Sequence, residues 1–440
     1  MAPGSPPDSG PRPPRDRTAT WVGTTYFAEG LPYMLVRYLA GVYLTDLGFR
    51  EAWLGLLNLL GIPWNLKFLW APAVDLFGTR RGWLTRVQGA LVAGFGLLAL
   101  LAALGPLEGG AGGPGPLGSH WTIPLLLALL VGLAFLSATH DIAIDGYYME
   151  AIPDPTRQAA YTGLRVMTYR FAVIFTKSML VAVAGYWTWS GAFLLGALTL
   201  ALLLLFHLRV LPRVDAPPEQ RTASQNLRLF GEAFLSWLRQ ERVVLVLAFI
   251  ATYKLGDEVL FSMNTPFLVR ELGVSKVQLS WLAGVVGTAA SIAGSLLSAW
   301  AIRRVGLRRA IWPLTLAMNL NLWAYVWLAW DRPDAATTSG LAWITAVHAY
   351  EQFAAGLGNA VLVVFIMRIC LPRYKAAHYA IASAISSVGS SLFGGVGGYI
   401  VEAWGYVTLF LVAFVATVPS MAILLTLKVP EERIAAHQNT

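Results

Sequence analysis

The stretch WTWSGAFLLGALTLALLLLFHLRVL, residues 187–211, decides the class of fold. It contains no Asp, Glu, Lys or Arg before Arg209. About 20 apolar residues, rising ~1.5 Å each, cross the ~30 Å hydrocarbon layer of a bilayer. The stretch therefore reads as a membrane-crossing helix. Immediately after it the chain changes character. PRVDAPPEQR (Pro212–Arg221) is polar and proline-rich, and Leu227 to Leu238 follows with the pattern of an amphipathic helix.

Working outward, eleven more segments of the same kind appear. The full set is 20–46, 51–73, 83–105, 121–150, 158–184, 187–211, 243–269, 276–301, 310–330, 340–367, 377–400 and 404–427. Six lie before the polar segment and six after it. The composition agrees: apolar residues make up 56% of the chain and charged residues 13%, against ~25% charged in soluble domains. Too few charges remain to coat a soluble surface, so an all-α membrane protein is expected. The domains expected are a disordered cytoplasmic tail (1–19), two six-helix bundles (20–211 and 243–428), a cytoplasmic linker (212–242) and a short tail (429–440). The first seventeen residues lack the apolar core of a cleavable signal peptide. The Gly-rich stretch Gly105–Gly118 reads as a flexible outer connector, because its GxG patterns have no flanking strand.

The basic residues set an orientation. With the amino terminus in the cytoplasm, 22 of the 32 Lys and Arg fall on the cytoplasmic side. Only Arg50, Arg270, Lys276 and Arg332 fall outside. This is the positive-inside asymmetry, and it explains the formal charge of +8 without a nucleic-acid partner. The single cysteine, Cys370, excludes an intramolecular disulfide, and no His/Cys cluster suggests a metal or other cofactor.

The two halves are related. Gly78-Thr79-Arg80-Arg81 and Gly306-Leu307-Arg308-Arg309 are offset by 228 residues. The same offset carries Glu29 onto Asp257, so an acid occupies matching places. Two six-helix pseudo-repeats with basic loops at these places resemble the major facilitator superfamily.

Twelve charged residues lie inside the segments, away from their ends: Glu29, Arg37, Lys67, Asp141, Asp145, Arg165, Arg170, Lys177, Lys254, Asp257, Glu258 and Glu351. At about 2.5–3.5 kcal/mol each, exposing them all to lipid would cost on the order of 30 kcal/mol. They must line a protein interior. Glu29 lies about 14 Å into its segment, Glu351 about 15 Å and Arg170 about 18 Å, which places all three near the midplane. Lys254, Asp257 and Glu258 share one face at i, i+3 and i+4, where a single Lys neutralises part of the acid pair. Tyr26, Glu29 and Tyr33 share a face of the first segment. The expected substrate site is therefore Tyr26, Tyr33, Arg170, Lys254, Asp257 and Glu258. Glu29 and Glu351 are the expected proton-coupling acids, since neither has a base at i±3 or i±4. Nearer the cytoplasm, Lys67, Asp75, Arg81, Asp141, Asp145 and Arg165 are expected to form a gate. The bland reading, structural ion pairs between helices, stays open for both groups. Gly389, Gly394, Gly395, Gly397 and Gly398 read as a close helix-packing face.

Particular strings narrow the family. YFAEGLPY (Tyr26–Tyr33), LKFLWAPAVD (Leu66–Asp75), RRGWL (Arg80–Leu84), FLSATHDIAIDGYYME (Phe135–Glu150), TYRFAVI (Thr168–Ile174), TYKLGDE (Thr252–Glu258) and HAYEQFAAGLG (His348–Gly358) resemble the AmpG-type muropeptide permeases. The likeness runs through nearly all twelve segments in order. It implies a proton-driven importer in the bacterial inner membrane, with N-acetylglucosamine–anhydro-N-acetylmuramyl peptides as cargo and protons and the lipid bilayer as its partners. It covers Glu29, Lys67, Asp75, Asp141, Asp145, Arg170, Asp257 and Glu351. Glu29 and His140 depart from it, since Gln is associated with both places in the family, and this chain looks like a side branch. Another anionic cargo, such as an acyl-CoA or a sugar-peptide, stays open, as does a membrane sensor that binds without transporting. No output domain favours a sensor, no nucleophile–base set favours an enzyme, and no obligate protein partner is evident.

Overall fold

The computed structural model describes residues 17–104, 118–214, 223–240, 242–371, 375–427 and 429, and it contains helices and no strand among them. The tail 1–16, most of the Gly-rich connector and the residues from 430 onward lie outside the described residues. The first half comprises α1 (18–46), α2 (51–76), α3 (Arg80–Ala103), α4 (Gly118–Ala151), α5 (Pro155–Tyr186) and α6 (Trp189–Val210). The amphipathic α7 (Ala223–Leu238) follows. The second half comprises α8 (243–271), α9 (Lys276–Val305), α10 (Leu307–Asp331), α11 (Thr338–Ile369), α12 (375–404) and α13 (406–426).

Helix starts follow local chemistry. Thr79, Asp154, Thr188 and Thr337 each accept a hydrogen bond from a backbone N–H of the first turn, and Ser275 with Gln278 forms a capping box. These contacts satisfy amides that the helix itself leaves unpaired. The repeat is visible in the backbone: Gly78 and Gly306, 228 residues apart, both adopt positive φ, 85° and 78°. Only glycine enters that region without a steric penalty.

Seven helical stretches are each long and apolar enough to cross a membrane, the last running through α12 and α13 together. The other four helices, α1, α2, α8 and α10, carry more polar positions or are interrupted. α2 passes through two 3₁₀ turns, and α8 breaks at Tyr253-Lys254. α1 and α8 also contain π-helical turns, Leu35–Leu39 and Phe267–Glu271, each beginning soon after a proline, Pro32 or Pro266.

The halves meet along α2 with α12, α1 and α2 with α8, and α5 with α9. A side chain on Gly398 of α12 would overlap the Glu51 carbonyl of α2, so this seam closes with backbone against backbone. The apolar core is continuous across the seam toward the end bearing residues 46–51 and 271–276. Toward the opposite end, which carries Arg80, Arg81, Arg209, Arg303, Arg304, Arg308, Arg309 and Arg368, the core divides into two, one in each half. That basic end is where the halves separate. Trp237 of α7 is buried against α12, while Phe234 and Leu235 of the same helix remain exposed.

Candidate functional site

A cavity of about 640 Å³ lies on the seam. Tyr26, Glu29 and Tyr33 of α1, Arg165 and Arg170 of α5, Lys254, Asp257 and Glu258 of α8, and Glu351 of α11 all line it. All eight residues expected for substrate and proton thus converge from four helices and both halves. The wall continues through Thr162 and Val166, exposed on the basic-end half of α5.

Within this cavity the charges differ in their partners. Lys254 Nζ lies 3.5 Å from Glu258 and 4.0 Å from Asp257, so one cation is shared by two carboxylates. Glu351 is 2% exposed and accepts a hydrogen bond from the Gln352 amide at 2.8 Å. His348 Nδ1 stands 3.6 Å from the Glu351 carboxylate and 3.0 Å from the Tyr325 hydroxyl. Tyr325 in turn donates to Asn264 at 3.3 Å. This buried polar chain leads from the cavity into the second half. Glu29 has a buried carboxyl oxygen with no hydrogen-bond partner among the described residues.

Tyr26 and Tyr33 are already engaged. The Tyr26 hydroxyl donates to Asp145 at 2.6 Å, and the Arg165 guanidinium lies 4.2 Å from the Tyr26 ring centre and 4.4 Å from that of Tyr148. Cation–π contact of this kind fixes Arg165 between the two rings. Tyr33 packs edge-on against Trp64 at 5.0 Å and beside Tyr169 at 6.2 Å.

The residues grouped as a gate divide. Arg165 donates to Asp145 at 2.7 Å and Lys67 to Asp141 at 2.6 Å. Both pairs join helices of the first half to one another, and both are intact while the halves stand apart at this end. Neither pair holds the halves together. Arg81 is not among them: its guanidinium bonds the Leu208 and Leu211 carbonyls at the end of α6, at 2.8 and 3.2 Å. The Asp75 side chain lies outside the described residues. His140 is fully buried with neither ring nitrogen partnered among the described residues.

At the far end, contacts between the halves close the cavity. Arg270 of α8 donates to Glu51 at 2.7 Å and to the Thr45 carbonyl at 2.7 and 3.2 Å. Lys276 reaches Asp46 at 2.7 Å, and Asp46 also accepts from the Trp189 indole. Arg50 reaches Glu402 at 2.7 Å. Sequence reading counted these bases as ordinary loop charges. Their partners are 219–352 residues away, so no local pattern marks them.

Residues 22–350 and 254–439 match the profile of the Major Facilitator Superfamily. The chain belongs to the major facilitator superfamily. It is 29% identical to the anhydromuropeptide permease of Escherichia coli (strain K12), over 94% of this chain and 80% of that one. It is 24% identical to putative transporter AmpG 4 of Rickettsia felis, over 91% and 94% of the two chains. The fold of this facilitator matches the D-xylose–proton symporter with a TM-score of 0.68 at 13% identity, covering 94% of this chain and 97% of that one. It matches the nucleoside transporter NupG with a TM-score of 0.64 at 16% identity, covering 93% and 99%. These relatives are permeases and transporters, not enzymes, and this facilitator is a multi-pass membrane protein.

Proposed function

We propose that this facilitator imports N-acetylglucosamine–anhydro-N-acetylmuramyl peptides, together with protons, across the bacterial inner membrane by alternating access. The observation that carries the reading is the seam cavity, lined by ionisable residues from both halves and closed at one end only. Its volume, about 640 Å³, falls in the range of small-molecule sites. The likeness to anhydromuropeptide permeases along nearly the whole chain supports the cargo. Tyr33 and Tyr169 offer apolar surface for sugar rings, and Arg170 offers donors for carboxylates.

The basic end faces the cytoplasm on the positive-inside rule, with both termini on that side. The conformation is then inward-open. Units 20–211 and 243–428 rock against each other, joined by 212–242. Glu29 and Glu351 carry the proton, since each is a midplane acid without an ion pair to a Lys or Arg among the described residues. Lys67–Asp141 and Arg165–Asp145 brace the cytoplasmic wall of the first half.

Counterflow of a labelled disaccharide-tripeptide in proteoliposomes tests the cargo: exchange is expected, and binding without exchange would make the protein a sensor. A Glu351→Gln or Glu29→Gln carrier is expected to retain counterflow and lose accumulation driven by a pH gradient. If both variants accumulate cargo normally, coupling through these acids is wrong.

A further inference from the structure

We propose that Arg37, Arg170 and Lys177 form an anion subsite on the first-half wall of the cavity, which selects cargo bearing at least two carboxylates. The proposal rests on the reading of the seam cavity as the cargo site and names the chemistry that site recognises.

All three cations line the cavity. Among the described residues Arg170 has no hydrogen bond or ion pair. Lys177 is 9% exposed and lies 4.7 Å from the Tyr38 ring; the Glu351 carboxylate acts on it only from beyond ion-pair distance among the described residues. Arg37 donates once, to the Asn58 carbonyl at 3.0 Å. The other two cations of the cavity are satisfied, Arg165 by Asp145 and Lys254 by Asp257 and Glu258. Cations held in a low-dielectric interior without a counter-charge in contact are costly, and an arriving anion relieves that cost.

The backbone gives a second observation. Arg37 sits in the π-helical turn Leu35–Leu39 and Lys177 in the π-helical turn Phe175–Leu180, and the two turns touch. Such turns are rare and concentrate at functional sites. Arg170 lies about 10 Å back along α5 from Lys177 by helical rise. The positive strip therefore has two poles, Arg37 with Lys177 at one and Arg170 at the other. Glu29 lies about 12 Å along α1 from Arg37 by the same rise, too far to neutralise that pole directly.

The opposite wall is acidic. Asp257 and Glu258 share Lys254 there, and Glu351 has no Lys or Arg within ion-pair distance among the described residues, so an anion is steered to the α1–α5 side. A muropeptide meets this demand through its stem peptide, not its sugars. Two carboxylates of the peptide span the poles, while the disaccharide packs on Tyr33 and Tyr169.

The test uses the full-length carrier in detergent. Binding is measured for the disaccharide-tripeptide and for the same compound with its carboxylates amidated. The dicarboxylate suberate and its diamide serve as small probes. The acid form is expected to bind at least about tenfold more tightly than the amide. Lys177→Met and Arg37→Gln should abolish that preference, and Lys177→Arg should keep it. Variants that elute as folded monodisperse protein and retain the full preference overturn the subsite. If the wild type binds no muropeptide, the cargo reading fails and suberate decides the subsite separately. A preference for suberate over its diamide that Lys177→Met removes upholds it, and equal binding of the two overturns it.

Discussion

Replacing Arg270 by Gln should open the end of the molecule where the halves now meet. Arg270 contributes three hydrogen bonds across the seam, one to Glu51 and two to the Thr45 carbonyl. Its side chain and that of Glu51 are each 25% exposed. Hydrogen bonds to charged groups contribute about 1.5–3 kcal/mol when well shielded, and exposed pairs about 0.2–1 kcal/mol. At this intermediate exposure the group of contacts stabilises the closed end by about 2–3 kcal/mol. They exist only while the halves touch here, so their loss shifts the conformational equilibrium by about 30- to 150-fold. Spin labels at Trp187 and Trp330 would report it. These positions lie in different halves near this end and are 77% and 79% exposed, and Cys370→Ser first removes the native thiol. The Arg270→Gln carrier should gain a population at longer distance, and Arg270→Glu with Glu51→Arg should return part of it. An unchanged distance distribution in both Arg270→Gln and Arg270→Gln/Glu51→Gln would refute the assignment of these contacts as a closing device.

Gly398→Ala should act in the same direction without touching a charge, because the added carbon meets the Glu51 carbonyl. An overpacking cost of about 1–3 kcal/mol falls on the closed state alone, and the same pair of labels reads it. Acidification should loosen the Arg50–Glu402 contact. The Ala52 amide and the Arg50 guanidinium hold the Glu402 carboxyl below its ordinary range. A depressed carboxyl contributes to closure above that range and ceases to as pH falls through its own lowered value. Glu402→Gln should therefore remove this part of the pH response of the label distance. Reporters fused at the amino terminus and within 187–188 should lie on opposite faces of the membrane, and equal sidedness would overturn the orientation proposed from the basic loops.

Much of the cavity was legible because charge inside an apolar segment is costly and therefore informative. Glu29, Arg170, Lys254, Asp257, Glu258 and Glu351 announced themselves in this way, and helical rise placed Glu29, Arg170 and Glu351 at similar depth. The 228-residue offset, read from Gly78 and Gly306, reappears as matched backbone conformation. What the sequence could not supply was direction and partnership. Arg81 follows Arg80 in the chain, yet turns to the carbonyls of α6 instead of the acids of α4. Arg37 and Lys177 were two more bases inside apolar segments until the structure showed that, among the described residues, they lack a carboxylate at the ion-pair distance that Arg165 and Lys254 have. The closing contacts escaped because a loop Asp or Arg looks the same in sequence whether it meets water or a partner on the other half.

The two sets of ion pairs have different mechanical consequences. Lys67–Asp141 and Arg165–Asp145 join helices of one half, so rigid rocking of the halves carries them along unbroken. Asp46–Lys276, Glu51–Arg270 and Arg50–Glu402 join the halves and, in the proposed rocking cycle, separate each time. Partial exposure suits that second role, since water can solvate each separating charge and limit the cost of opening. The remaining cost has to be offset by something that binds differently in the two states. The π-helical turn bearing Lys177 touches the turn Leu282–Val286 of the other half, close enough that a side chain on Gly284 would overlap Ser178. An anion drawn to Lys177 therefore acts directly on the seam. On the proposed subsite, cargo charge and the opening of the closed end are thereby coupled through the packing of α5 against α9.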